Sequence, residues 1–310
     1  MNRKYKSLSI SLISIFFLCN LLINSNIIID NFFQTIKLCF NNLLPTIFLF
    51  FILTDILNNY NFPYYLSMIL GKLIGKTYKL PKISSYIIFM SMTSGFPGNS
   101  KLIKEQLDNH AINEYDATKL LTMTHFSNPL FIIYTIGNNV LHDIKISIII
   151  LIVHFSTNFL IGFLFRNIYQ INENNNNLKP TNPLPFMELL KKSIYNTAKI
   201  LTQVFGIIIV INTSIATINQ YLNLNPYSHM LLNGLMEITN GLGLLNLLSL
   251  SKIKAAIIAT FFISFGGFSI HMQVMSILNK YKINYYIYLL ARILHAAISS
   301  IIVFLILIYC

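Results

Sequence analysis

Acidic residues are scarce in this chain: 10 Asp and Glu stand among 310 residues, against 22 Lys and Arg. Charged residues of both signs make up only 10% of the sequence, where soluble domains carry about 25%. So few charges cannot solvate a water-soluble fold of this length, and no soluble catalytic domain is visible. Tryptophan is absent, and the 3 cysteines, Cys19, Cys39 and Cys310, form no C-x-x-C pair, which argues against a disulfide framework or a thiolate metal site. H-E-x-x-H and G-x-x-x-x-G-K-[ST] are both missing, so neither zinc-peptidase nor P-loop chemistry is encoded. An enzyme is not expected, nor a cofactor or a bound metal.

What the chain has is apolar length. Hydrophobic residues make up 55% of it and the mean hydropathy is +0.62. They fall in runs at residues 8–23, 45–57, 144–165, 200–218 and 285–309, several near the roughly 20 residues a spanning helix needs. The expected fold is all-α, a polytopic helical bundle whose surroundings are the lipid bilayer. The net charge of +12 does not indicate nucleic acid, because the basic residues sit between apolar runs: Lys72, Lys76, Lys79 and Lys82, then Lys191 and Lys192, then Lys280 and Lys282. Such clusters mark cytoplasmic loops under the positive-inside rule. The opening MNRKYK and its apolar run lack an A-x-A-like cleavage site, so residues 1–30 are expected to be retained as a signal-anchor helix.

A polar, proline-bearing segment at 170–185 reads as a linker between two membrane halves, 31–169 and 186–310. Each half reads as a spanning helix, a glycine-bearing segment, a polar-tipped hairpin and a further helix. These are residues 41–57, 66–75, 83–101 and 119–140, then 199–218, 230–248, 255–276 and 285–309. The hairpin tips SMTSGFPGNSK and FISFGGFSIHMQ align with Gly95-Phe96 over Gly267-Phe268. An internal two-fold repeat with re-entrant or broken hairpins follows, and matched broken segments in two halves point to a transporter's binding site. Residues 101–119 read as a polar surface helix. Charge does not decide whether 66–75 spans or re-enters.

Glu237 is the one acid within an apolar stretch, where a carboxylate is costly unless paired, hydrated or protonated. Continuous helix would place Asn233, Glu237 and Asn240 on one face, with Thr239 beside them, as a solute site or as an interhelical hydrogen-bond cluster. In the first tip Gly95, Pro97 and Gly98 turn the chain, Asn99 or Ser100 is expected to cap the next helix, and Lys101 beside that N-terminus suits an anionic or strongly polar group. Pro129 removes a helical donor and frees the carbonyl of His125. That carbonyl, with Ser127 and Asn128, faces either a ligand or a neighbouring helix. Gly267, Ser269, His271 and Gln273 complete the candidates at the second tip.

Taken in order, SGFPGNSKLI, LLTMTHFSNPLFIIYTIG, GLMEITNGLG, FGGFSIHMQ and ARILHA resemble the YlbJ family of sporulation integral membrane proteins, over residues 43–297. That family carries the nucleoside recognition or Gate domain, also found in concentrative nucleoside transporters, spore maturation proteins and the ferrous iron transporter. Asn99 stands where relatives more often have glycine, and Ser127-Asn128-Pro129 lacks the glycine of their Asn-x-Gly-Pro. The resemblance implies a transporter-like architecture and a role in endospore formation, in a mother-cell or forespore-surrounding membrane. It supplies no substrate.

Two functions follow. One is a permease-like protein moving a small polar solute, with or without a coupling ion, and contributing to spore envelope (cortex) assembly. The other is a non-transporting scaffold for envelope-assembly factors, working as a homo-oligomer or with other sporulation membrane proteins. The absence of a sizeable soluble domain favours the first.

Overall fold

The computed structural model describes residues 3–169, 180 and 182–309. Most of the 170–185 linker therefore lies outside the described residues. Helices account for all regular structure among those described, with no strand. They are α1 (Arg3–Ile23), α2 (Ser25–Leu38), α3 (Leu44–Asn59), α4 (Phe62–Tyr78), α5 (Ser84–Ser94), α6 (Gly98–Asp108), α7 (Glu114–Met123), α8 (Ile144–Leu164), α9 (Phe186–Asn219), α10 (Pro226–Met236), α11 (Ile238–Leu247), α12 (Lys252–Phe265), α13 (Gly267–Ile277) and α14 (Tyr285–Tyr309). Two π-helical segments interrupt the series, Cys39–Leu43 between α2 and α3 and Phe131–Val140 before α8.

Local sequence sets several of these boundaries. Asn113 accepts from the Asp116 N–H while the Asp116 carboxylate accepts from the Asn113 N–H, a reciprocal cap that satisfies two otherwise free donors at the start of α7. The Asp143 carboxylate takes the N–H groups of Lys145 and Ile146 to open α8. Asn225 caps α10 and Pro226 follows it in the first turn, where its missing N–H costs nothing. Ser251 opens α12 in the same manner.

Among the described residues four helices are long and apolar enough to cross a membrane: α8, α9, α12 with α13, and α14. Ser7–Ile23 and Ser25–Asn41 together would make a fifth, bent by 100°. Large apolar side chains such as Leu8, Ile152, Val210 and Ile301 are exposed on these helices, as lipid-facing residues are. The core lies where α8, α12 and α14 pack together, around Ile150, Val153, Phe262, Tyr288 and Val303.

The helical hairpins differ from the sequence reading in the second half. α5 and α6 fold back on one another as expected, but so do α10 and α11. There Gly241 crosses Gly234 so closely that an added Cβ would lie 2.2 Å from the Gly234 Cα. The stretch 255–276 is no hairpin: Lys252–Ile277 forms one span of 26 residues, interrupted at Gly266. Glycine placement alone did not separate a fold-back from an interruption. The 119–140 helix is likewise broken, since the chain leaves α7 at Met123 and resumes helical form only at Pro129. The proposed surface helix at 101–119 divides into α6 and α7, and its Leu102, Ile103 and Leu107 are buried. Each half thus contains a hairpin, an interrupted helix and an uninterrupted one: α5–α6, 114–140 and α8, then α10–α11, α12–α13 and α14.

Candidate functional site

The two interruptions meet, and each receives the tip of its own half's hairpin. At the first, α5 ends at Gly95 (φ 69°) and α6 begins after a cis Phe96–Pro97 peptide. The Phe96 N–H donates to the Phe126 carbonyl at 2.9 Å, and a Cβ on Gly95 would lie 2.6 Å from the Asn128 nitrogen. At the second, Gly267 (φ 61°) packs on the α10–α11 tip, where a Cβ would come within 3.3 Å of the Met236 carbonyl. Between them, His125 stacks on Phe96 with ring centroids 4.7 Å apart and presents Nε2 to Gly266.

α8 and α14 supply the polar lining. His154 and Asn158 lie one turn apart on α8, and Tyr288, Arg292, His295 and Ser299 follow helical spacing on α14. All six are buried. Arg292 donates from Nη1 to Asn158 Oδ1 at 3.2 Å and to His295 Nδ1 at 3.0 Å, and from Nη2 to the Thr122 carbonyl. Asn158 Nδ2 also donates to the freed His125 carbonyl, at 3.0 Å. That carbonyl therefore faces a neighbouring helix and not open space. The Ser127 N–H donates to His154 Nε2 at 3.0 Å.

These partners fix where the protons sit. His154 accepts on Nε2, so its proton is on Nδ1, directed at Ser264 Oγ 3.0 Å away. His295 accepts on Nδ1 and donates from Nε2 to the His154 carbonyl at 3.0 Å. His271 donates from Nε2 to the Phe265 carbonyl at 2.9 Å, and its Nδ1 lies 3.3 Å from the Tyr285 hydroxyl. The imidazoles of His154 and His295 are thus neutral, and Arg292 is the permanent charge of the cluster. Among the described residues no carboxylate is within ion-pair distance of it. The histidines do not form a metal centre either: among the described residues no three His, Cys, Asp or Glu side chains could hold an ion together.

Four buried polar atoms here have no hydrogen-bond partner among the described residues: Asn99 Oδ1, His125 Nε2, Ser127 Oγ and Arg292 Nε. Each belongs to residues 122–127 or bonds to them, Asn99 through Thr124 Oγ1 at 3.4 Å and Arg292 through Thr122. An unsatisfied buried group costs about 1–3 kcal/mol. Their grouping on one broken segment is what a polar ligand would relieve.

Other expected residues fall elsewhere. Glu237 is the turn between α10 and α11, extended at φ −144° and ψ 120°, so the shared face of Asn233, Glu237 and Asn240 does not exist. Its Oε1 accepts from the Thr239 N–H at 3.0 Å and hydroxyl at 2.8 Å, as the N-cap of α11. Asn233 accepts from Asn219 and Asn240 donates to Asn212, both towards α9. Lys101 does not point towards Glu237: it pairs with Asp55 and Glu105. Neither Asn99 nor Ser100 caps α6, because the helix already begins at Gly98 and the Ser100 hydroxyl donates back to the Pro97 carbonyl. Asn128 takes the Leu130 N–H and donates to the Thr93 carbonyl, bracing the break beside Pro129. Gln273 donates to Ser269 Oγ at 3.1 Å, one turn earlier on α13.

Sequence reasoning missed Arg292, Asn158, His154 and His295. The signal was present, since a charged residue inside an apolar run is costly whatever its sign, and ARILHA lies in the most apolar span.

Fold and site together define a multi-pass helical membrane protein with a polar centre built at two interrupted helices. The chain is similar to the sporulation integral membrane protein YlbJ of Bacillus subtilis (strain 168), with 24% identity over 297 residues, covering 84% of this chain and 73% of that protein. No protein-family model matches the chain, and no solved structure matches it.

Proposed function

We propose that this protein is a permease of Gate-domain type, in a membrane of an endospore-forming bacterium, that carries a small polar solute of negative charge during spore envelope assembly. Arg292 carries the reading: a guanidinium buried in a spanning helix, held by neutral partners, retains an uncompensated positive charge. Such a charge inside a bilayer is expensive and marks a functional position by default. Interrupted helices around it supply backbone and side-chain groups where unbroken helices would have none to spare. The name of the similar Bacillus protein supports the sporulation role.

The test is solute flux in liposomes containing the purified chain, across a panel of small organic anions, neutral polar solutes and organic cations. One or more anions should cross, and Arg292→Gln, inserted to the same level, should stop them. Flux of none of the panel, or unchanged flux in Arg292→Gln, overturns the reading.

A further inference from the structure

A second charged cluster lies apart from Arg292, on the face of α6 turned to α3. Lys101 Nζ contacts Asp55 Oδ1 and lies 3.0 Å from Glu105 Oε1, and it donates to the Phe51 carbonyl at 3.1 Å. Asn58 Nδ2 donates to the other Glu105 oxygen at 3.3 Å. Two carboxylates therefore share one ammonium, leaving the trio one negative charge in excess. The lysine side chain is only 4% exposed, and those of Asp55 and Glu105 are 13% and 22% exposed.

All three line a cavity of ≈ 970 Å³. Buried Gln106, whose Nε2 has no partner among the described residues, lines it too. The two carboxylates open onto that cavity, while the lysine between them is almost wholly enclosed.

We propose that Asp55, Lys101 and Glu105 form a proton-binding site, in which Glu105 takes one proton from cavity water and the trio passes from one excess negative charge to none. The proton bonds to a Glu105 carboxylate oxygen and no other bond changes. Glu105 lies one turn from the exposed end of α6, outside the spanning segments, and burial pushes its carboxyl up to about 7. The other groups that face it modulate this without replacing it. Tyr86 of α5 is a phenol, uncharged at neutral pH, whose hydroxyl donates to the Thr54 carbonyl. Lys104 of α6 is engaged with Asp108. Lys192 and Lys199 of α9, and Lys280 beyond α13, line the same cavity. As a proton site the trio stands on its own; as a coupling-ion site it rests on the permease reading.

Infrared difference spectra of the full chain in liposomes of uncharged lipid, swept across neutral pH, test this directly. A protonated-carboxyl stretch should grow in as pH falls, with a midpoint near 7, shift in heavy water and vanish in Glu105→Gln. Asp55→Asn should move the midpoint to lower pH and Lys101→Gln to higher pH, each by about one unit or more. A band that survives Glu105→Gln, or midpoints indifferent to both other substitutions, overturns the proposal. Solute flux is not part of the readout. Titration without flux would leave the proton site and sink the permease, and flux without titration would do the reverse.

Discussion

Gly266 lies so close to His125 that a Cβ added to it would stand 2.3 Å from the imidazole Nε2. The two interruptions are therefore in contact through a residue with no side chain, in a backbone conformation (φ 94°) that L residues rarely adopt. Gly266→Ala meets both penalties, about 1–3 kcal/mol for the backbone alone. Its melting temperature in detergent should fall clearly below the parent's. Gly243→Ala, with nothing within 4 Å of the new carbon, should melt with the parent or above it.

Replacing Arg292 with Gln leaves Asn158, His295 and the Thr122 carbonyl short of a donor, each costing about 1–3 kcal/mol if no water takes over. Arg292→Lys keeps the charge but not the fork that reaches three acceptors at once. Both variants should unfold earlier in thermal melts, and Lys should retain more anion flux than Gln.

Asn158 joins α8 to both the His125 carbonyl and Arg292. Asn158→Leu and Arg292→Gln should therefore combine non-additively, with a coupling of about 0.5–3 kcal/mol in a double-mutant cycle. Additive losses would show that the two side chains act independently.

Glu237→Gln keeps an oxygen that can cap α11, whereas Glu237→Ala removes it at a cost of about 0.5–2 kcal/mol. Stability should follow that order. If the carboxylate serves the solute pathway, Glu237→Gln should also abolish flux and spore formation at normal protein levels; normal sporulation would confine Glu237 to its capping role.

For Glu105 the sign of the pH effect is fixed. Burial raises its carboxyl from an ordinary 4.5 to about 7, so between those values the folded chain holds more protons than the unfolded one. Its contribution to stability is then fully present below pH 4.5 and is lost as pH rises to about 7. Glu105→Gln should flatten that segment of the melting-temperature profile.

The membrane class, the span at Tyr285–Tyr309 and the first hairpin with its turn at Gly95 were all legible in the sequence, because apolar length and glycine-proline turns are local signals. The second hairpin was not. Its turning residue is Glu237, with a conformation any residue adopts, and its cause is the Gly234–Gly241 crossing, a tertiary contact. Gly266 and Gly267 look like a tip in sequence but only interrupt a span. Attention to acids picked out Glu237 and passed over Arg292, although the same cost applies to both. Pro129 was read as lying inside a helix and freeing the His125 carbonyl, whereas residues 124–128 are not helical and Pro129 opens the next helical stretch; the acceptance of that carbonyl's bond from Asn158 depends on α8, which no spacing could reveal.

α9 runs unbroken for 34 residues, about 51 Å at 1.5 Å per residue, well beyond the ~30 Å hydrocarbon layer. A helix that long overhangs the bilayer even when tilted. Its first four turns carry Lys191, Lys192 and Lys199, all exposed, and there Ser193 and Asn196 line the cavity of Asp55 and Glu105. The end of α9 with that length to spare is thus also a wall of the cavity, and it brings the Lys192 and Lys199 ammonium groups to the same opening as the two carboxylates.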